Sequence, residues 1–210
     1  MNKASSFLRT GLAVLLALAA GCARYTVLPP AVDLAAPGSI GLVAFAAPNA
    51  KGDLDAVATQ YFLQEVMAAQ RVSVVELGPP AAVLAGLGKT AFDREAVLAV
   101  GREQGLGALF LGEIAVTEVK PRLDLAAPVT RTLFARAAFD VKVTARLVST
   151  ADGATLWTAS AARQGTVGTV GMDGGVPVFA VRDKSAAMDE LLRELMFRLT
   201  WDFRPTRARL

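Results

Sequence analysis

The stretch SIGLVAFAA, residues 39–47, decides the fold of this chain. It is a short apolar run between Gly38 and Pro48, a pattern that indicates a buried strand. A helix whose apolar side begins at Leu54 follows it and leads to a second apolar run, VSVVEL, at residues 72–77. A strand, a helix and a strand in this order predict a parallel pair of strands joined by a right-handed crossover.

The next elements continue this pattern. Asp53 is expected to cap the first helix, and Asp93 is expected to cap a second, short helix that ends near Gly105. The run LGALFLGEIAVTEV, residues 106–119, predicts a third strand. This strand is apolar enough to lie in the centre of the sheet.

An antiparallel hairpin gives the clearest β signal. Apolar and polar side chains alternate over residues 139–147, which predicts a strand with one buried face and one solvated face. Asp152 and Gly153 are typical turn residues, and a second strand follows through Trp157. The two strands are therefore expected to pair.

The last predicted element is an amphipathic helix, capped by Asp183 or Ser185. One wide apolar stripe on this helix is expected to lie across the sheet; its members are Met188, Leu191, Leu192, Leu195, Met196 and Leu199. Together the elements predict an α/β or α+β sandwich with a mixed sheet of about five strands and helices packed on it. We expect it to be a single globular domain over residues 39–203.

Two segments lack such periodicity. Residues 164–177 contain five glycines in fourteen positions, so we expect a mobile loop or an interaction loop there and no regular packed element. Residues 121–131 are expected to form a loop or an edge. The candidate contact residues of the glycine-rich segment are Gly168, Gly171, Gly174 and Gly175.

Residues 1–21 have the layout of a signal peptide. The apolar run of residues 11–20 follows Lys3 and Arg9 and is too short to span about 30 Å of hydrocarbon. The run ends in small residues before Cys22, the only cysteine, and this arrangement resembles bacterial lipoprotein signals, with Ala19 where leucine is most common. The resemblance implies that Cys22 carries acyl chains such as palmitate. The alternative is an ordinary cleaved signal with a cysteine nearby.

Lipidation of Cys22 implies a soluble domain tethered to a membrane. Ala23 follows the cysteine, in place of the Asp that retains lipoproteins in the inner membrane of many bacteria, so the resemblance implies the outer membrane with the domain facing the periplasm. A single lipidated cysteine leaves none for an internal disulfide. The proline-containing residues 22–38 are expected to form the lipidated end and an extended tether.

The charge of the mature chain is nearly balanced. The formal charge of +3 falls when Lys3 and Arg9 leave with the signal. The mature chain then has 20 of the 22 basic residues and all 19 acidic ones. This balance gives no reason to expect a nucleic-acid partner. Basic residues gather in the tail, residues 204–210, at Arg204, Arg207 and Arg209. The tail could contact anionic lipid, peptidoglycan or an acidic partner, and a solvated tail is the alternative.

Few groups are present for catalysis. The chain has no histidine, which removes Ser-His, Cys-His and imidazole-metal sites. The sequence GLGKT, residues 86–90, lacks the earlier glycine of a phosphate-binding loop, since Val83 holds that position, and we expect no nucleotide. Glu113 and Glu118 are the carboxylates least easily explained, and contact between subunits is as plausible for them as catalysis. We expect no enzyme activity, no cofactor and no metal.

Four segments carry a resemblance to a known group of proteins: IGLVAFAAP, VATQYFLQEVMAAQRVSVVE, GLGALFLGEIAVTEV and ARLVSTADGATLWTASA. They resemble the CsgG-like superfamily of envelope lipoproteins, which includes the curli-secretion, Pel polysaccharide-export and penicillin-binding-protein activator lipoproteins. The resemblance covers most of residues 39–200. It implies either subunits that assemble into rings and help a polymer or protein pass, or a monomer that activates a peptidoglycan-synthesising enzyme.

Pore-forming members of that superfamily insert two hairpins of alternating strands into the membrane. Here residues 119–136 are broken by Pro121 and Pro128, and residues 163–178 are mostly glycine and small polar residues. We therefore expect a periplasmic scaffold or export accessory factor that associates with itself or with an envelope protein. Trp157 is a candidate interface residue, with core packing as its alternative. A ligand-binding module would need convergent polar groups, which the sequence does not identify.

Overall fold

The computed structural model describes residues 25–48, 53–117, 120–124, 134–173, 176–181 and 184–209. These residues fall into two units, a small one formed by residues 25–30 and 205–209 and a main one formed by residues 31–204.

Nine strands and four α-helices are described. The strands are β1 (Tyr25–Leu28), β2 (Ile40–Val43), β3 (Val74–Gly78), β4 (Ala108–Val116), β5 (Lys120–Asp124), β6 (Phe134–Ser149), β7 (Thr155–Asp173), β8 (Val176–Val181) and β9 (Thr206–Arg209). The helices are α1 (Leu54–Ala69), α2 (Pro80–Gly86), α3 (Arg94–Gln104) and α4 (Lys184–Leu199), followed by a 3₁₀ turn at Trp201–Phe203. None of the described helices is long and apolar enough to cross a membrane.

The main unit holds one mixed sheet. Its strand order is β3-β2-β4-β6-β7-β8, and β5 pairs with β6 beyond the end of β4. Strand β2 is parallel to both β3 and β4, whereas all other pairs are antiparallel. The mixed α/β fold with a parallel βαβ unit and a later hairpin is confirmed, with β5 and β8 added to the five strands that the sequence predicts.

The main core lies on one side of this sheet, under α1 and α4. The alternation on β6 is confirmed, because all five apolar positions are buried on this side: Phe139, Val141, Val143, Ala145 and Leu147. A chain of ring contacts runs through the core, with centroid distances of 5.1 Å for Phe45–Phe62, 5.1 Å for Phe62–Phe110 and 6.3 Å for Phe110–Trp157. We call this side the inner face.

A smaller core lies on the opposite side, which we call the outer face. Val97 and Val100 of α3 pack there against Leu109 of β4 and Val148 of β6, and Val83 of α2 joins them. Helix α3 follows the predicted signals, since the Asp93 carboxylate accepts a hydrogen bond from the amide of Ala96 and Gly105 ends the helix with φ of 65°.

The start of α1 differs from the prediction. Asp53 precedes the helix, but its side chain makes no capping hydrogen bond. The connection between β2 and α1 instead depends on the buried Thr59, whose hydroxyl accepts from the amide of Phe45 at 2.9 Å and donates to the carbonyl of Asp55 at 2.6 Å. The hydroxyl thereby fixes the chain where it leaves the strand.

The prediction for the glycine-rich segment, residues 164–177, is wrong, because most of this segment forms strands. Residues predicted to have no regular structure continue β7 to Asp173, and β8 then pairs with β7. Backbone hydrogen bonds to β6 and β8 need no side chain at these positions, so the neighbouring strands supply the order that glycine lacks. Gly165 is also required for packing, because a Cβ there would collide with the ring of Phe139.

The prediction of an extended tether over residues 22–38 is also wrong for its second half, because residues 31–38 belong to the main unit. Leu34 is fully buried in the main core, and its amide donates to the side-chain oxygen of Gln70 at 2.9 Å. The Gln70 amide group donates in turn to the carbonyls of Val32, at 2.7 Å, and Phe203, at 3.0 Å. One glutamine side chain therefore joins the start of the main unit to its end.

Candidate functional site

Several sites predicted from the sequence lie outside the described residues: Cys22, Gly174, Gly175 and Glu118. The predicted lipidation site therefore stays a prediction. The first described residue is Tyr25, where β1 begins three residues after Cys22.

The tail arginines have two different environments. Arg204 belongs to the main unit, where its guanidinium pairs with Glu65, donates to the Thr200 hydroxyl at 2.9 Å and lies 4.6 Å from the ring centre of Phe197. Arg207 and Arg209 lie on β9, which pairs with β1 in antiparallel fashion. Arg204 is thus engaged in contacts within its own unit, and the last two arginines are exposed on a strand.

Trp157 lies in the core, which corrects its prediction as an interface residue. Its side chain is 6% exposed, and its ring centre is 4.6 Å from that of Phe203. The indole N–H donates to the carboxylate of Asp202 at 3.0 Å. A buried indole needs a partner for its N–H, and Asp202 supplies one from the 3₁₀ turn.

Gly168 and Gly171 lie on β7, in a part of the sheet that extends beyond the core. We call this part the distal sheet; it consists of β5, residues 134–140 of β6, residues 164–173 of β7 and β8. Gly168 pairs with Ala137 of β6 and with Val181 of β8. Because β5 pairs only with β6 and β8 only with β7 among the described strands, both outer edges of the distal sheet lack a described partner.

An open groove of about 410 Å³ crosses the outer face. Strands β2, β4, β6 and β7 form one side of it, together with Ala46, which follows β2; Pro80 and Phe92 form the other side. The strand residues include Val43, Leu111, Glu113, Thr144, Arg146 and Thr158. Arg146 donates to the carbonyl of Phe92 at 3.4 Å. The exposed Glu113 pairs in register with Thr144, so a carboxylate and a guanidinium lie two residues apart along neighbouring strands.

The described residues contain no cluster of side chains placed to bind a metal ion. No group of three or more Asp, Glu or Cys side chains within them is placed to hold a metal ion, and every buried side-chain nitrogen or oxygen among them has a hydrogen-bond partner. Among the described residues, the pKa values of two surface groups depart from their ordinary values. A hydrogen bond to Glu95 raises the pKa of Lys89, and hydrogen bonds from Ser149 and the amide of Ala154 lower the pKa of Asp152.

Sequence reasoning did not identify three polar residues that organise the main unit: Thr59, Gln70 and Asp202. Each acts through a contact to a residue far along the chain, such as the bond between Asp202 and Trp157. No local pattern marks them, because a threonine, a glutamine or an aspartate near a helix end is usually solvated.

No protein-family model and no curated protein sequence matches this chain. Solved structures similar to it include a PelC dodecamer from Paraburkholderia phytofirmans, with 16% identity and a TM-score of 0.47, covering 88% of this chain and 99% of that one. Lipoprotein GNA1162 from Neisseria meningitidis has 17% identity and a TM-score of 0.42, covering 78% of this chain and 99% of that one. The LpoB C-terminal domain from Escherichia coli has 12% identity and a TM-score of 0.39, covering 63% and 87%.

Proposed function

We propose that this chain is a lipoprotein of the bacterial envelope, anchored through Cys22 in the outer membrane and facing the periplasm, where it acts as a non-enzymatic scaffold or export accessory factor. Copies of the chain assemble side by side through the distal sheet, and a ring is the closed form of such an assembly. The proposal combines the signal-like residues 1–21 and Cys22 with the edges of β5 and β8, which have no partner among the described strands.

The edges of the distal sheet are the observation that carries the proposal. The described strands β5, β6, β7 and β8 alternate in direction, so β5 and β8 run in opposite directions. Strand β8 of one copy beside β5 of the next would therefore extend the same antiparallel pattern. Pro121 and Pro177 each remove one backbone donor from these strands, and the other positions keep theirs.

The length of chain after Cys22 supports work near the membrane surface. Leu34, which is buried in the main unit, is twelve residues from Cys22. A fully extended chain of that length spans at most about 40 Å. A factor that had to reach across the periplasm would need a longer connection.

Cysteine crosslinking tests the edge-to-edge assembly. Arg122 on β5 and Ala180 on β8 lie in one row across the sheet, through Arg136 and Thr169. Three strand spacings separate them, about 14 Å, which no disulfide can bridge within one copy. We expect Cys22→Ser/Arg122→Cys/Ala180→Cys to give a ladder of disulfide-linked oligomers under oxidising conditions.

The control replaces Ala180→Cys by Val75→Cys, on the exposed far edge strand β3. It should give no ladder, since β3 is not part of the distal sheet. A strict monomer by light scattering at high concentration, with no ladder from either variant, would contradict the assembly.

The groove on the outer face favours the second candidate function, a monomer that binds and activates a peptidoglycan-synthesising enzyme or another envelope partner. Its wall combines apolar residues with the exposed Glu113 and with Arg146. For that function, Glu113→Gln/Arg146→Gln should reduce capture of the partner without changing the mass of the chain in solution. If the variant instead captures the partner as the parent does, this second function is wrong.

A further inference from the structure

The β1–β9 ribbon brings the two ends of the chain together. Tyr25 pairs with Arg209, and Val27 pairs with Arg207. Cross-strand partners lie on the same side of a two-stranded ribbon, and alternate residues share a side, so these four side chains form one face. Tyr25 is 62% exposed and Val27 is 64% exposed, and both arginines are exposed. We call this the arginine face.

The charge of this segment is positive throughout. Residues 23–30 and 205–210 contain Arg24, Arg207 and Arg209 but no aspartate or glutamate. The side chains of Arg207 and Arg209 make no ion pair within the described part of the chain. Two cations are thus held on alternate positions of one strand, and no described carboxylate pairs with either.

The position of the ribbon along the chain indicates what that partner is. Tyr25 is three residues from Cys22, and three residues span at most about 11 Å. If Cys22 carries acyl chains, as the proposed function has it, the ribbon lies within reach of the phospholipid headgroups around the anchor.

We propose that the arginine face binds the anionic headgroups of the membrane in which Cys22 is anchored. Arginine forms paired hydrogen bonds with phosphate, and tyrosine favours the boundary between headgroups and acyl chains. Val27 adds apolar surface beside them. The chain therefore has two attachments to one membrane, a covalent one before β1 and an electrostatic one on β9 at the other end of the sequence.

Vesicle partitioning of the mature chain, residues 22–210, tests this inference. This chain keeps every described element, and its one thiol allows a single myristoyl chain to be attached at Cys22. One such chain binds membranes only marginally, so a contribution from the ribbon is measurable. The probes are vesicles of phosphatidylcholine alone and of phosphatidylcholine with phosphatidylglycerol.

We expect Arg207→Gln/Arg209→Gln to lower partitioning onto the anionic vesicles about 25-fold, because each arginine near a charged surface contributes about fivefold. Partitioning onto neutral vesicles should stay unchanged. The control Arg71→Gln/Arg102→Gln removes the same charge from exposed positions of the main unit and should retain binding. Unchanged circular dichroism shows that each variant is folded.

Two results would overturn the inference: an equal loss of partitioning in the Arg71→Gln/Arg102→Gln control, or no loss of partitioning in Arg207→Gln/Arg209→Gln. Its failure is separate from failure of the anchor. Labelling of the full chain with palmitate in bacteria, compared with Cys22→Ala, tests the anchor alone, whereas the vesicle experiment attaches its own lipid.

Discussion

The inner face of the sheet packs against α1 and α4, whereas α2 and α3 cover the outer face at one end. On β6 the difference appears between neighbouring residues: Val143 and Ala145 are buried on the inner face, and Lys142 and Arg146 are exposed on the outer face. The inner core contains several aromatic rings among its aliphatic side chains, whereas the buried residues of the smaller outer core are all aliphatic.

The two faces therefore differ in how much each contributes to stability and in how much of each stays free to bind other molecules. The inner face should carry most of the free energy of unfolding, since it buries the larger apolar area. The uncovered part of the outer face, with the groove beside Glu113, should carry little. Substitutions on the two faces therefore test the comparison directly.

The largest effect is expected at Phe110, which contacts three other rings of the inner core. Phe110→Ala should lower the free energy of unfolding by about 3–5 kcal/mol, because it removes apolar contacts and leaves a cavity. Leu111→Ala, one residue along the strand and on the outer face, should cost about 2 kcal/mol. Urea unfolding followed by circular dichroism measures both losses. Equal losses of free energy would contradict the expected difference between the faces.

The next effect concerns Gly165, where the inner core meets the distal sheet. Gly165→Ala should destabilise by about 1–3 kcal/mol, since the new methyl group must displace the buried ring of Phe139. Gly86→Ala, at a helical position with open space around it, should be neutral or slightly stabilising. A Gly165→Ala protein as stable as the parent would mean that the ring moves freely and that the inner face is loosely packed there.

A smaller effect is expected at Trp157 on the inner face. Trp157→Phe keeps an aromatic ring but removes the indole N–H that donates to Asp202. We expect a loss of about 1 kcal/mol, the usual net value of one hydrogen bond. Thermal unfolding of Trp157→Phe, Asp202→Asn and the double variant measures the coupling, and additive losses would show that the two groups act independently.

On the outer face, Glu113→Gln/Arg146→Gln should change the free energy of unfolding by less than about 0.5 kcal/mol, as surface substitutions usually do. Both side chains are exposed, so their charges are solvated in the folded and unfolded chains alike. A loss comparable to that of Leu111→Ala in the same urea titration would show that the groove is part of the stabilising structure.

The smallest effect belongs to Asp152, at the turn between β6 and β7. Hydrogen bonds from Ser149 and Ala154 hold its pKa below the ordinary value of 3.8. Its contribution to stability is therefore present above pH 3.8 and is lost as the pH falls through the folded-state pKa. Asp152→Asn should weaken the acid dependence of the melting temperature below pH 4, and an unchanged pH profile would show that the turn carboxylate is not linked to folding.

Local signals in the sequence predict the main unit well. The alternation on residues 139–147 identifies both faces of β6, and Gly153, with φ of 76°, forms the predicted turn. Asp93 and Gly105 bound α3 as expected. These features depend on residues a few positions apart, which is the range that periodicity and capping rules cover.

Features that depend on distant partners were not predictable in the same way. The glycines of residues 164–173 have weak strand preference, and their order comes from pairing with β6 and β8. The burial of Leu34 depends on Gln70, and the strand at Arg207 depends on Val27 at the other end of the chain. The candidate sites follow the same division: the arginines are visible in the sequence, but the face that they share with Tyr25 is visible only in the fold.

The β1–β9 ribbon also makes the first described strand depend on the last. Leu28 pairs with Thr206, 178 positions later, so β1 stays without its partner until β9 has been synthesised. Closing so long a loop is slow compared with local folding steps. Only a chain made to its final strand can complete the ribbon, and a chain that stops early would keep its N-terminal strand open to other contacts. The ribbon therefore distinguishes molecules that include β9 from molecules truncated before it.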